Sequence, residues 1–300
     1  MADVKKGIIL KGIGGLYFVE TADAVFECKA RGIFRKSGQK PLVGDEVDIL
    51  IGEDGANNTI EKIYPRRSEL MRPPVANLDR LFILSSVRDP NPSTLIIDKM
   101  TAIACWKNIE PVIVITKDDL GDTSELRGIY EKAGIPFFSV SSRDGRGADE
   151  VKAMLSGHIS AFAGNTGVGK SSLLNLIAPG LSLKTGEISD KLGRGRHTTR
   201  HTELFRCGGG YIADTPGFSS FELQDELFIR KESIANCFPE FEPFIGECKF
   251  TSCSHTGEKG CAISSAAEDG RIAKSRFESY VRMYRDAAKI PEWELNKRKQ

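Results

Sequence analysis

Residues 159–177, ISAFAGNTGVGKSSLLNLI, contain the pattern that decides the fold. A short apolar run ends at Gly164, a glycine-rich loop follows, and helical spacing begins at Lys170. The loop matches GxxxxGK[ST], in which glycines allow backbone amides to converge on phosphate oxygens. Because the following helix adds the positive end of its dipole, the pattern favours a phosphate-binding loop between a strand and a helix over an ordinary glycine-rich turn.

The same segment supplies candidate ligands for a nucleotide and its magnesium ion. Lys170 is expected to reach the β- and γ-phosphates, and the hydroxyl of Ser171 is expected to ligate Mg²⁺. We predict that the phosphate-binding residues of this segment are Gly164, Asn165, Thr166, Gly167, Val168, Gly169, Lys170, Ser171 and Ser172.

A second motif, Asp214-Thr-Pro-Gly217, carries a carboxylate and begins 44 residues after Lys170, at the end of a predicted short strand. A carboxylate there can hold Mg²⁺ through water, and the amide of Gly217 can reach the γ-phosphate. DxxG alone is a common tetrapeptide, but its distance from the phosphate loop favours a magnesium site. Between the two motifs, Thr198 and Thr199 lie in a basic segment, where a threonine would complete the magnesium shell.

A third motif points to the base. Thr116-Lys117-Asp118-Asp119 closes the apolar run PVIVIT and resembles the guanine motif [NT]KxD. The Asp119 carboxylate would accept hydrogen bonds from the ring and exocyclic N–H groups of guanine, which adenine cannot supply in that arrangement, and Lys117 can lie over the ring. The alternative is an ordinary strand-end turn. Ligands of α/β sheets bind at the carboxyl ends of strands, which favours the guanine interpretation.

The motifs occur in a rotated order. In the usual arrangement the base motifs follow the phosphate loop and DxxG, whereas here Thr116–Asp119 comes first and Ser141-Ser142, which would back the base, comes next. No comparable base motif follows Gly217. A fold whose ends lie close together tolerates such a permutation. The sequence therefore predicts a circularly permuted GTPase whose second switch leads directly into the C-terminal segment.

The remaining pattern predicts a multidomain α/β protein. Residues 1–66 contain short strands separated by turn signals, which favour a small closed barrel, with an OB-fold as the natural candidate. Residues 67–222 alternate strands with helices, as in a doubly wound P-loop GTPase domain. Residues 223–300 contain a cysteine-rich stretch followed by a charged helix, which predicts a metal-binding domain with helices.

The cysteine-rich stretch offers three thiols and one imidazole within fourteen residues: Cys248, Cys253, His255 and Cys261. Three sulfurs and one nitrogen suit tetrahedral Zn²⁺ in a closed structural site. A disulfide is disfavoured in a reducing compartment, and a catalytic zinc needs an open ligand position that this set does not leave. We expect one structural Zn²⁺ per chain.

Composition restricts the class of protein. Apolar residues make up 40% of the chain and charged residues 28%, and the net charge of +1 excludes a uniformly basic nucleic-acid binder. No apolar run approaches the roughly eighteen residues of a membrane span. The N-terminus does not read as a signal peptide, because Lys11 and several glycines interrupt its apolar stretch. We expect a cytoplasmic protein without a membrane partner.

Taken together, the motifs resemble the RsgA (YjeQ) family of circularly permuted GTPases. The resemblance covers nearly the whole chain. Each motif alone is weak, but their combination is highly specific, and threonine at position 116 is a variant of that family. The matching segments are CKARGIFRK (28–36), PLVGDEV (41–47), TKDDL (116–120), GNTGVGKSSLLN (164–175), GRHTTRH (195–201), DTPGF (214–218) and CKFTSCSHTGEKGC (248–261).

The resemblance implies a GTPase that acts in late assembly of the small (30S) ribosomal subunit, with hydrolysis stimulated by that subunit. The alternative is a GTP-gated RNA-binding scaffold whose hydrolysis is incidental. We expect Mg²⁺ to accompany GTP or GDP, ribosomal RNA to be a partner, and the protein to be a monomer. In the barrel, candidate contacts with that RNA are Arg31, Phe34, Arg35, Lys36 and Lys40. The basic helix and tail over Arg271–Gln300 are a second candidate surface.

The residue that activates water is the least defined part of the mechanism. Many GTPases use a glutamine shortly after DxxG, but Phe218 occupies that position and has no hydrogen-bonding group. His197 is the candidate replacement, because it lies beside Thr198 and Thr199. A plain RNA or solvent contact is an equal alternative for this residue, and His201 is a weaker catalytic candidate.

Overall fold

The computed structural model of the chain describes residues 3–36, 38–53, 57–71, 73–179, 202–214, 229–291 and 293. Its strands are Asp3–Ile13 (β1), Leu16–Thr21 (β2), Val25–Ala30 (β3), Glu46–Ile51 (β4), Asn58–Ile63 (β5), Glu69–Met71 (β6), Pro74–Ala76 (β7), Arg80–Ser86 (β8), Glu110–Thr116 (β9), Phe137–Val140 (β10), Ile159–Gly164 (β11), Glu203–Cys207 (β12) and Gly210–Asp214 (β13). Its α-helices are Gly32–Lys36 (α1), Thr94–Trp106 (α2), Ser124–Lys132 (α3), Ala148–Ala153 (α4), Lys170–Ile177 (α5), Lys231–Ile234 (α6), Ala262–Glu268 (α7) and Lys274–Ala288 (α8). Within these ranges, no helix is both long and apolar enough to cross a membrane.

The N-terminal strands form a small closed barrel, as the sequence predicts. β1 pairs with β2 on one side and with β4 on the other, and β3 and β5 complete the ring. The register of β1 against β2 shifts between Ile9 and Lys11, as at a β-bulge. Inward-facing apolar side chains fill the centre, and Ile9, Val47 and Ile49 have no exposed surface.

The central part of the chain is a doubly wound sheet, which confirms the predicted fold class. β10, β9, β8, β11 and β13 run parallel in that order, and β12 pairs antiparallel with β13. Successive residues of β8 enter opposite cores: Leu81 and Ile83 pack with α2 and α3, whereas Phe82 and Leu84 pack with α4 and α5. Because the strands are parallel, their carboxyl ends share one edge, and the nucleotide motifs lie there.

The barrel continues the central sheet through its edge strand. β1 pairs antiparallel with β12 at Lys11 and Glu203, whose side chains form an ion pair of 2.6 Å. Nearby, Glu20 of β2 accepts hydrogen bonds from Arg206, at 2.7 Å, and from the hydroxyl of Tyr211. The orientation of the barrel is therefore set by strand pairing and side-chain contacts as well as by the connecting chain.

The C-terminal segment packs against α2. Its own core contains Ile229, Phe238, Phe241 and Tyr280, and Ala102 of α2 belongs to the same buried cluster. The three rings lie within 5.6 Å of one another, centroid to centroid, one pair stacked and the other two edge to face. This aromatic cluster connects α8 to the short 3₁₀ turns that follow α6.

A buried arginine joins the C-terminal segment to the central sheet. The guanidinium of Arg276 has no exposed surface and donates to Asp98 and Thr101 of α2, both at 2.9 Å. It also donates twice to Glu240, at 2.7 and 3.1 Å, and lies 4.6 Å from the ring centroid of Phe238. Charges in such an enclosed place depend on one another, because removing one leaves the others without compensation.

We expect Arg276→Met to lower the free energy of unfolding by about 3–5 kcal/mol, because Asp98 and Glu240 would remain buried without their cation. The measurement is thermal and urea unfolding. Arg282→Met is the matched control, since Arg282 lies on the same helix with a 67% exposed side chain and should change stability by less than about 1 kcal/mol. Equal effects of the two substitutions would contradict a structural role for the buried network.

Candidate functional site

The phosphate loop lies where β11 ends and α5 begins. Gly167 and Gly169 have φ angles of +83° and +86°, which favour glycine. At Gly164, a Cβ atom would lie 2.9 Å from the Leu84 carbonyl oxygen, so a side chain cannot be accommodated. Val168 is 2% exposed and anchors the loop, and among the residues that the structure describes no side chain caps the amides at the start of α5. These amides are available to an anion.

A buried hydroxyl joins the phosphate loop to the predicted base motif. Thr116 ends β9 and is 1% exposed. Its Oγ1 donates a hydrogen bond to the carbonyl oxygen of Val168 in the loop and lies 3.2 Å from the carbonyl oxygen of Ser85 in β8. Two motifs about fifty residues apart in the chain are thus in direct contact at one edge of the sheet.

The residues after Thr116 turn sharply toward solvent. Lys117 adopts a left-handed conformation with φ of +56°, and Nζ donates to the carbonyl oxygen of Asp89. A 3₁₀ turn over Asp118–Leu120 follows, in which the side chain of Asp118 is 11% exposed and Asp119 is exposed. The carboxylate of Asp119 can therefore meet a ligand that lies over the edge of the sheet.

The serine pair lies beside this turn. The last register pair between β10 and β9 joins Val140 to Thr116, so Ser141 and Ser142 leave the sheet next to Lys117 and Asp118. Ser141 is fully buried, and its amide donates to a main-chain oxygen later in the same loop. The Oγ atom of Ser142 is buried and has no hydrogen-bond partner within the described part of the chain.

The other predicted ligands fall only partly within the described structure. β13 ends at Asp214 beside β11, with Ala213 paired to Ala161, so the backbone of the DxxG motif starts at the same edge as the phosphate loop. The side chain of Asp214 is outside the described residues. His197, Thr198, Thr199 and Gly217 also lie outside them.

The predicted metal ligands come together. One donor atom each from Cys248, Cys253, His255 and Cys261 lies within 4.8 Å of every other. The sulfurs of Cys248 and Cys261 are 3.9 Å apart, and Nδ1 of His255 is 3.3 Å from the first and 3.7 Å from the second. A tetrahedral ion with metal–sulfur bonds of about 2.3 Å requires sulfurs about 3.8 Å apart, so the donor set fits such an ion.

The surroundings of the cluster support thiolate ligands. The amides of Ala262 and Ser264 donate to the sulfurs of Cys248 and Cys261, at 3.3 and 3.4 Å. Burial and the adjacent thiols raise the pKa of Cys253 to about 12, and a cation bound beside its sulfur would favour the thiolate. Burial lowers the pKa of His255, which keeps its imidazole in the neutral form that binds metals.

The predicted RNA contacts in the barrel do not share one environment. Arg31 is exposed and pairs with Glu61, and Lys40 is exposed. Phe34, a predicted RNA contact, is 8% exposed and packs into the barrel core. The side chains of Arg35 and Lys36 are outside the described residues.

Two residues that the sequence analysis did not single out contact the base motif. The carbonyl oxygen of Asp89, in the loop after β8, accepts the hydrogen bond from Lys117. Nη2 of Arg146, in the loop after β10, lies 3.5 Å from Oδ1 of Asp118. Both loops follow strands adjacent to β9, so a search of the residues after each predicted parallel strand would have found them.

Two family models match the chain. The RsgA GTPase model matches residues 63–224, and the RsgA N-terminal domain model matches residues 6–57. Among curated proteins, the small ribosomal subunit biogenesis GTPase RsgA of Alkaliphilus metalliredigens is 44% identical over 285 residues, covering 93% of this chain and 97% of that protein. The protein of the same name from Ruminiclostridium cellulolyticum is 43% identical over 297 residues, covering 97% and 96%.

Solved structures show the same architecture. YjeQ from Thermotoga maritima aligns with a TM-score of 0.82 at 35% identity, covering 96% of this chain and 100% of that one. YloQ, described as a circularly permuted GTPase, aligns with a TM-score of 0.81 at 32% identity, covering 96% and 97%. The similarity therefore extends across the barrel, the central sheet and the C-terminal segment.

We expect the purified protein to contain about one tightly bound metal ion per chain, because four donors of this kind are already gathered. Elemental analysis by mass spectrometry measures it. A variant with both Cys253→Ser and Cys261→Ser should lose the ion, whereas Cys207→Ser, which alters a cysteine far from the cluster in sequence, should retain it. Full metal content in the double variant would assign the ion to another place.

Proposed function

The chain belongs to the RsgA GTPase family, and on that premise we propose that it hydrolyses GTP during late assembly of the small ribosomal subunit. The observation that supports this most directly is the hydrogen bond from Thr116 to Val168. It brings a guanine motif and a phosphate loop to one edge of a sheet, although their order in the chain is rotated. We propose that the protein is a cytoplasmic monomer that binds ribosomal RNA and is stimulated by the subunit.

The phosphate and magnesium ligands follow from the loop geometry. The amides between Gly164 and Gly169 would surround the β-phosphate, and Lys170 would neutralise charge that develops as the γ-phosphate leaves. Mg²⁺ would be bound by Ser171 and by Asp214 through water. One of Thr198 and Thr199 would complete the shell when GTP is present.

Guanine would be read at the ends of β9 and β10. The exposed carboxylate of Asp119 would accept two hydrogen bonds from the base, and the loop of Ser141 and Ser142 would close behind it. The left-handed turn at Lys117 allows its stem to lie along the ring. A base without the matching N–H groups would leave this carboxylate unpaired, which is the physical source of selectivity.

We propose that the metal is Zn²⁺ and that its role is structural. Three thiolates and one imidazole leave no open position for a substrate. The cluster is part of the segment that Arg276 joins to α2. Zinc would therefore stabilise a surface attached rigidly to the nucleotide-binding sheet, and that surface includes the exposed cations of α8.

Ribosomal RNA would contact basic side chains on two parts of the molecule. In the barrel, Arg31 and Lys40 are exposed, and Arg35 and Lys36 lie between them in sequence. Arg282 and Arg285 on α8 and Lys289, which directly follows it, are exposed. Phosphate contacts of this kind position a protein on folded RNA without reading its sequence. Phe34 is not part of this proposal, because it is buried.

The base assignment predicts a change of nucleotide preference. Asp119→Asn should weaken GTP binding by about a hundredfold or more, because its amide cannot accept both guanine N–H groups, and should improve binding of xanthosine triphosphate. Titration with fluorescent nucleotides measures both. Asp122→Asn removes an equal charge three residues away and should leave GTP affinity within about twofold. An unchanged affinity in Asp119→Asn would remove Asp119 from the base site.

The function is tested by GTP turnover with and without purified small ribosomal subunits. Wild-type turnover should be slow alone, because Phe218 cannot orient water, and should rise when subunits are added. His197→Ala should lose the stimulation while GTP and subunit binding persist, and His201→Ala should retain it.

The outcomes of that experiment separate the alternatives. Absence of stimulation in the wild type would overturn subunit-activated hydrolysis and favour a GTP-gated scaffold. Loss of subunit binding in His197→Ala would assign this residue to the RNA interface. Unchanged stimulated turnover would remove it from both roles.

A further inference from the structure

Two buried oxygen atoms at the predicted base site, one in the loop after β9 and one in the loop after β10, lack hydrogen-bond partners within the described residues. Thr116 pairs with Val140 in the sheet, and Asp118 and Ser142 each follow two residues later. Oδ1 of Asp118 and Oγ of Ser142 are both buried, and neither forms a hydrogen bond within the described residues. A buried polar atom without a hydrogen-bond partner costs free energy, and native structures contain few of them.

Arg146 connects the loop after β9, which contains Asp118, with the loop after β10, which contains Ser142. Its main-chain oxygen accepts a hydrogen bond of 3.0 Å from the amide of Ser141, and its own amide donates to Asp144 at 3.1 Å. It therefore belongs to a closed turn that carries Ser141 and Ser142. Its side chain leaves that turn and brings Nη2 to 3.5 Å from Oδ1 of Asp118, on the neighbouring loop.

The ion pair between Arg146 and Asp118 lies in position to affect where the Asp119 carboxylate lies. Asp118 and Asp119 share one 3₁₀ turn, so a rotation of that turn moves both carboxylates together. The side chain of Asp118 is 11% exposed, whereas that of Arg146 is 59% exposed. Because the Asp118 carboxylate is largely enclosed, water screens its attraction to Arg146 less than it would between two exposed groups.

We propose that Arg146 is a positioning residue for guanine recognition. Asp118, the variable position x of the TKxD motif, contributes by forming the ion pair with Arg146 that holds this turn in place. The inference rests on the proposed guanine site. Arg146 holds the turn of Asp119 against the turn of Ser142, so the carboxylate that reads the base and the loop behind the base keep one spacing before the nucleotide arrives. Binding then requires less ordering of the two loops.

A second ion pair competes with this interpretation and supplies the control. Nη2 of Arg146 also lies 3.5 Å from Oδ2 of Asp144, which is on its own turn. If Arg146 only stabilises its own turn, Asp144, which accepts a hydrogen bond from Nη2, is the partner that matters and Asp118 is dispensable. If it joins the two loops, only Asp118 matters for the nucleotide.

The test compares Arg146→Gln, Asp118→Asn, their double variant and Asp144→Asn by titration with fluorescent GDP and by steady-state GTP turnover. Arg146→Gln and Asp118→Asn should each raise the Kd for GDP and the KM for GTP about three- to tenfold, with kcat within about twofold. The double variant should bind no more weakly than the weaker single variant, because the two residues act as one unit. Asp144→Asn should bind as the wild type does, and Arg146→Lys should recover part of the affinity.

Several results would overturn the proposal. Wild-type affinity in Arg146→Gln, additive losses in the double variant, or an equal loss in Asp144→Asn would each do so. A fall in the thermal midpoint of the nucleotide-free protein that accounts for the loss would mean a merely structural role. These failures differ from failure of the guanine site itself, in which the wild type would not bind GDP or Asp119→Asn would keep its affinity for GTP.

Discussion

The hydroxyl group of Thr116 connects the ends of three strands of the central sheet. β9 and β11 are not neighbours, because β8 lies between them. Thr116 ends β9, lies beside the Ser85 carbonyl oxygen of β8 and donates to Val168 in the loop after β11. The distance between the base site and the phosphate site is therefore set by packing at the strand ends. Chain order has no part in it, which is why a rotated sequence can build the same edge.

Elements whose chemistry is local could be predicted from the sequence. The phosphate loop needs glycines at particular positions, and Gly164, Gly167 and Gly169 have the close approach or the left-handed backbone that this requires. The apolar runs of β8 and β9 are buried on both faces and could be recognised as parallel strands. The four metal ligands lie close in sequence, so their spacing already limits how far apart they can be.

Elements that depend on distant partners could not be predicted. β5 and β12 have mixed polar and apolar residues, and they are strands because β3, β4 and β13 pair with them. Phe34 stands among cations and resembles an RNA contact, but the barrel interior decides its position. In the sequence, Arg276 is one of several cations on a basic helix, and its partner Asp98 lies 178 residues away along the chain. Tertiary packing overrides the local pattern in each case.

The junction between β1 and β12 has a consequence for how the chain reaches its final form. Lys11 and Glu203 are 192 residues apart, so β1 completes its pairing only after the residues up to β12 have been synthesised. Contacts of such long range form late and slowly. Until then, β12 would present an open edge that another chain could extend. The N-terminal barrel thus covers the edge of β12 within the same molecule. Because β1 is synthesised before β12, the strand that covers this edge is already present when the edge forms.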